Sequence, residues 1–157
     1  MRVPFAVFTI VGMLLLLPAG LEPSSASSGD DMGTAGRIQP ETEILGRLNE
    51  STVPANWTVI SVTMGKVLNV TVFSEDWPAL DASLEIYDRL GNRQGYSISP
   101  YRWETVMILS TYTGDYYIRI FVGPGGGGGS YSFIARIQDT LPAASGGVYT
   151  GELYNDT

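Results

Sequence analysis

The chain is 157 residues long, with 9 basic and 16 acidic side chains and 44% hydrophobic residues, which fits one globular domain with extra chain around it. Cysteine and histidine are both absent, which excludes disulfides, thiol nucleophiles, imidazole-based triads and nearly all zinc or haem sites. The net charge is −7, Lys66 is the only lysine and the arginines are scattered, so there is no basic stripe and no nucleic-acid partner is expected.

Met1-Arg2 gives a positive start, residues 3–17 form an uncharged apolar run, and Pro18-Ala19-Gly20 ends it. This is signal-peptide architecture. The small residues Ser24-Ser25-Ala26 offer cleavage after Ala26, with Gly20 a second position, so 1–26 is read as an export signal. The alternative is an uncleaved anchor, because the charge-free stretch runs on to Leu21 and nears the length that spans a bilayer. Residues 22–40 are rich in Ser, Gly, Asp and Pro with almost no large apolar side chain. Such a stretch cannot bury enough surface to order itself, and 27–42 is expected to be a flexible spacer.

From 43 to 138 the pattern becomes short runs of period-two alternation between turn residues, which predicts an all-β antiparallel β-sandwich of seven to eight strands. Residues 57–63 lead to a turn at Met64-Gly65-Lys66. Leu68, Val70 and Val72 then share one face, with Asn69 and Thr71 on the other. Residues 83–87 end in a turn from Asp88 to Asn92, built of residues that tolerate positive φ. The apolar run 106–109 predicts a central strand covered on both sides. Thr113-Gly114-Asp115 predicts a turn, and 116–122 is the strongest strand, with Tyr116, Ile118, Ile120 and Val122 on one face. Its expected partner is 131–137, across the loop 123–130, as a long hairpin.

Gly46-Arg47-Leu48-Asn49, Gly65 to Val70, Asp81 to Asp88 with Gly91-Asn92, and above all Thr113 to Ile120 with Tyr131-Ser132-Phe133 resemble the bacterial and archaeal pre-peptidase C-terminal domain. The resemblance implies a jelly-roll-like β-sandwich appended to secreted proteases and other exported proteins, often in tandem and usually without catalytic activity of its own. The glycine run in the predicted last hairpin and the absence of an attached protease depart from that pattern. Gly151 to Thr157 also reads against Gly46 to Thr52, so 139–147 is read as a linker and 148–157 as the start of a second, truncated copy.

Little catalytic chemistry is on offer. The formal G-x-G-x-x-G within 123–129 has a strand, not a helix, predicted after it, and so reads as a loop rather than a phosphate cradle. Lys66 sits in a glycine turn, where a solvated ammonium keeps its proton. Glu75, Asp76, Asp81, Glu85, Glu104 and Asp115 form no recognisable pair for glycoside hydrolysis. Calcium needs only hard oxygen ligands, and some pre-peptidase-like domains bind it through acids entering the first strand. By that likeness Glu41, Glu43 and Glu50, with Asp81 or Asp88, are the candidate metal ligands. Trp77, Tyr101, Arg102 and Trp103 lie in predicted loops, where large aromatics are costly to expose, and are the candidate ligand-binding residues. Trp57 and Tyr116-Tyr117 are read as strand packing. Asn49, Asn56, Asn69 and Asn155 match the N-x-Ser/Thr glycan acceptor.

The sequence thus predicts a secreted or cell-surface, non-catalytic module for binding, adhesion or spacing, whose partner is an extracellular protein or polysaccharide. The alternatives are a secreted hydrolase fragment using carboxylates or calcium, and a membrane-tethered surface protein in which the N-terminal segment is retained.

Overall fold

The computed structural model describes residues 29–139, and among these all regular structure is strand. The export signal, the stretch 140–147, the possible second copy and Asn155 lie outside the described residues. The strands are β1 (Gly36–Arg37), β2 (Glu43–Asn49), β3 (Ala55–Val62), β4 (Lys66–Ser74), β5 (Leu80–Tyr87), β6 (Arg93–Ser97), β7 (Trp103–Leu109) and β8 (Gly114–Asp139). They form two layers, one ordered β1-β3-β8-β5-β6 and the other β2-β8-β4-β7, antiparallel except for the short parallel pair of β1 and β3. The fold is the expected β-sandwich.

Alternation builds the core. In β4, Leu68, Val70 and Val72 are completely buried while Asn69 and Thr71 look outward, and in β8, Tyr116, Ile118 and Ile120 meet them from the other layer. Leu84, Ile86, Ile60, Val62, Phe133 and Ala135 complete the same apolar cluster. Gly65 and Gly91 take positive φ in the turns where the sequence places them. Asp88 closes the second of these turns by accepting the backbone N–H groups of Leu90 (2.8 Å) and Asn92 (2.9 Å).

The expected hairpin of 116–122 with 131–137 does not form. Both segments belong to β8, a single strand of 26 residues that passes from one layer to the other. Its first part pairs with β3 and β5 (Ile118 opposite Thr58 and Ile86), and its second part pairs with β2 and β4 (Phe133 opposite Ile44 and Val72). The glycine run makes the crossing possible because other groups occupy the space side chains would need. A Cβ on Gly125 would lie 2.9 Å from Asp81, and one on Gly127, where φ is 97°, would lie 1.9 Å from the Ala79 carbonyl oxygen. Acidic side chains collect the backbone donors along the crossing: Gly125 N–H donates to Asp81 Oδ2 at 2.8 Å and Ser130 N–H to Asp76 Oδ2 at 2.7 Å. Part of the acid excess is therefore structural.

Two further expectations are corrected. The run 106–109 is not central: β7 pairs only with β4, and its burial alternates, with Met107 and Leu109 more than half exposed. An edge strand needs one covered face, which Val106 and Ile108 supply. Nor is the segment before residue 43 simply a spacer. Ile38 is buried in the core, Gly29 bridges Trp57, and Arg37 grips Asp115 through two hydrogen bonds of 3.0 and 2.7 Å. Ile38, the bidentate ion pair and backbone pairing with β3 together dock this polar stretch.

Candidate functional site

The outer face of the β3-β8-β5-β6 layer carries a connected array of charged and aromatic side chains. Strand register places Trp57, Arg119, Glu85 and Tyr96 in one row across four strands, with Val59, Tyr117, Tyr87 and Arg93 in the next. Trp57, Tyr117 and Arg119 alternate with the buried positions of β3 and β8, so the stripe that fills the core also points them outward, whereas Val59 and Glu85 are themselves buried on this side.

Glu85 is the centre. Its carboxylate accepts from Arg93 Nη1 (2.7 Å), Arg119 Nη1 (2.8 Å) and the Tyr87 hydroxyl (2.8 Å). The Glu85 side chain is only 6% exposed, whereas those of Arg93 and Arg119 are 45% and 33% exposed. Burial pushes the Glu85 carboxyl up, but the hydrogen bonds from Arg119, Tyr87 and Arg93 together hold it below the ordinary glutamate value. Burial and the neighbouring Glu85 raise the Tyr87 phenol. Aromatic rings fix the two guanidinium groups. Arg119 lies 4.4 Å from the Phe121 ring centre and 5.8 Å from that of Trp57, Arg93 lies 4.4 Å from that of Tyr96, and Trp57 leans on Tyr87 at 5.3 Å. Chemically, its one carboxylate is held ionised between two arginines, so the array offers fixed guanidinium donors rather than a free acid or base.

The candidate binding residues fall elsewhere. Arg102 lies over the Phe73 ring at 4.4 Å, Trp103 faces Phe73 across the β4–β7 ladder, and Tyr101 is largely exposed beside them. Trp77 sits in the turn after β4 and makes no ring contact with them. The nearby outer face holds a shallow trough of about 360 Å³ between Phe73, Glu75, Glu43 and Ile134.

The five candidate metal ligands are dispersed. Glu41 pairs with Arg136 at 3.4 Å, Glu43 opens β2, Glu50 and Asp81 flank the glycine crossing, and Asp88 closes the β5–β6 turn. Among the described residues no three acidic side chains converge to hold a metal ion. The carboxylates considered for hydrolysis are engaged in the fold as well. Glu104 accepts from Ser99 N–H and Oγ, Asp115 from Arg37 and Ser61, and Glu75 from Ser132 Oγ. Of the glycan acceptors, Asn49 is exposed, Asn69 is half-buried on β4, and Asn56 is buried with its amide donating to Arg47 O (3.0 Å) and Tyr131 Oη (2.9 Å).

No protein-family model matches the sequence, and no curated protein matches it. Among solved structures, the pre-peptidase C-terminal domain of a collagenase from Bacillus anthracis superposes with a TM-score of 0.54 at 19% identity, covering 65% of this chain and 94% of that domain. The fold is that of a pre-peptidase C-terminal domain. The periplasmic g-type lysozyme inhibitor PliG from Aeromonas hydrophila also matches, at TM-score 0.49 and 11% identity, covering 65% of this chain and 94% of the inhibitor. Within this pre-peptidase-like sandwich the Glu85 array was not recognised as a group from the sequence, although Glu85 and Trp57 were considered singly, because its members lie on four strands and meet only through register. The available signal was the outward set Tyr117, Arg119 and Phe121, the complement of the buried stripe in the best strand.

Proposed function

We propose that the chain is a non-catalytic, exported β-sandwich module that binds an extracellular partner through the outer face of the β3-β8-β5-β6 layer. The observation that carries this reading is Glu85, buried on an outward face by two arginines and a ring of aromatics. A buried ion pair adds little to stability compared with apolar packing. What it does provide is fixed guanidinium geometry, and arginine with aromatic residues is the composition enriched at binding surfaces. The N-terminal export signal supports placement outside the cell. The absence of cysteine and histidine and the engagement of the candidate carboxylates in the fold support a role without turnover.

Co-sedimentation of the purified mature chain with cell-envelope material tests the reading. The wild-type chain pellets with the envelope, whereas Tyr96→Ala, on the exposed edge strand β6, stays in the supernatant with an unchanged melting temperature, and Arg93→Ala stays in the supernatant while remaining folded by circular dichroism. Equal pelleting of the variants would overturn it, as would turnover of peptides or glycans by the purified chain.

A further inference from the structure

We propose that this face binds an acidic polysaccharide, laid across the strands with its anionic groups on Arg93 and Arg119. The proposal rests on the binding role just described and names its ligand. Three observations lead to it. The first is charge: Arg93 and Arg119 share the single carboxylate of Glu85, and Arg37 is neutralised by Asp115, so the array keeps one uncompensated positive charge in a chain of net −7. An anion is the complementary ligand. The second is donor supply. Each of the two guanidiniums gives Nη1 to Glu85 and Arg119 also reaches the Tyr87 hydroxyl, which leaves the remaining nitrogens, chiefly those of Arg93, for carboxylate or sulfate oxygens.

The third is spacing. Trp57, Arg119, Glu85 and Tyr96 stand on adjacent strands, which are about 4.8 Å apart, roughly the width of one sugar ring. A glycan running perpendicular to the strands crosses the exposed groups of this face in turn: the Trp57 ring, which leans across β8 to Tyr87, then the Arg119 and Arg93 guanidiniums over the buried Glu85, then Tyr96 at the β6 edge. An extended acidic peptide presents same-side groups every ~6.7 Å and falls out of step with the row. Glu85 acts here as a positioning residue, aiming both arginines without touching the ligand.

The test is affinity electrophoresis of the mature chain through gels containing polygalacturonate, dextran sulfate, neutral dextran or poly-glutamate. Retardation by either acidic polysaccharide and none by neutral dextran is expected, and the two arms distinguish carboxylate from sulfate as the preferred anion. Binding weakens about tenfold in Arg93→Gln and in Tyr96→Ala, and weakens with added salt. Glu85→Gln, whose amide oxygen still accepts from the arginines while the charge is gone, tightens it several-fold, because both guanidiniums are then uncompensated, an effect that a purely structural Glu85 would not produce. Equal retardation by dextran, stronger retention by poly-glutamate, no retention by either acidic polysaccharide, or a Glu85→Gln variant that binds no tighter overturns the proposal. If poly-glutamate wins and the same variants abolish its binding, the glycan assignment falls and the binding face stands. If envelope co-sedimentation survives Arg93→Ala and Tyr96→Ala, the binding face itself falls.

Discussion

Both outer faces of the sandwich display large aromatic side chains with an arginine over a ring, but only one ties them to a buried carboxylate. On the β3-β8-β5-β6 side, Trp57, Tyr87, Phe121 and Tyr96 are linked through Arg119 and Arg93 to one buried carboxylate. On the β2-β8-β4-β7 side, Trp103, Met107, Leu109 and Leu45 are exposed on edge strands, separated by polar positions such as the Thr71–Thr105 hydroxyl pair. The amount of exposed aromatic surface does not tell the two faces apart. A buried charge that locks its neighbours does, because a locked side chain loses less entropy when a ligand arrives.

The two tryptophans give the largest expected contrast. Trp57→Ala removes packing against Tyr87 and Arg119 and is expected to cost about 2 kcal/mol, whereas Trp103→Ala, at an exposed edge, costs less than about 1 kcal/mol. Urea unfolding of both variants measures the difference, and equal losses would erase the contrast. Next is pH. Glu85 has its folded value depressed, so its contribution is fully present above the ordinary glutamate range and is lost as pH falls through the depressed value. Melting temperature against pH should drop on the acid side for the wild type and less steeply for Glu85→Gln.

Between the faces, Tyr131 reports the core. Burial pushes its phenol up to about 12, opposed by the hydrogen bond from Asn56. The neutral form is therefore favoured by folding, and the stability linked to it is present below the ordinary tyrosine value and lost as pH rises toward 12. In an alkaline absorbance titration one tyrosine should ionise only near that value or on unfolding, and Tyr131→Phe should remove that step. The smallest effects belong to the unlinked face and the dispersed acids. Met107→Lys should change stability by no more than about 0.5 kcal/mol, and adding chelator should leave the melting temperature unchanged. A drop with chelator would mean that the acids assemble around an ion after all.

Alternation made most of the strands legible. Leu68-Asn69-Val70-Thr71-Val72 and Tyr116-Tyr117-Ile118-Arg119-Ile120 announce both their strand character and their buried face. The route of β8 was not legible, because a glycine run without side chains reads the same whether it turns a hairpin or carries the backbone to the other layer. The difference lies in which distant strands it meets. The edge position of β7 was hidden for a related reason: Val106-Met107-Ile108-Leu109 is apolar on both faces although only one is covered. Composition misjudged the N-terminal stretch, since averaging over Ser, Gly and Asp dilutes Ile38 and Arg37, the two side chains that dock it. The Glu85 array was the least accessible. Loop aromatics such as Trp103 drew notice as exposed hydrophobes, whereas Trp57 and Arg119 gain meaning only once β3, β8, β5 and β6 are aligned.

That β8 runs through the middle of both layers has a mechanical consequence. Tension applied at Asp139 travels along a strand flanked on each side by antiparallel neighbours, first β2 and β4 and then, past the glycines, β3 and β5. Ladder bonds loaded in shear yield together rather than unzip one by one, so a pull from this end meets its stiffest resistance at once.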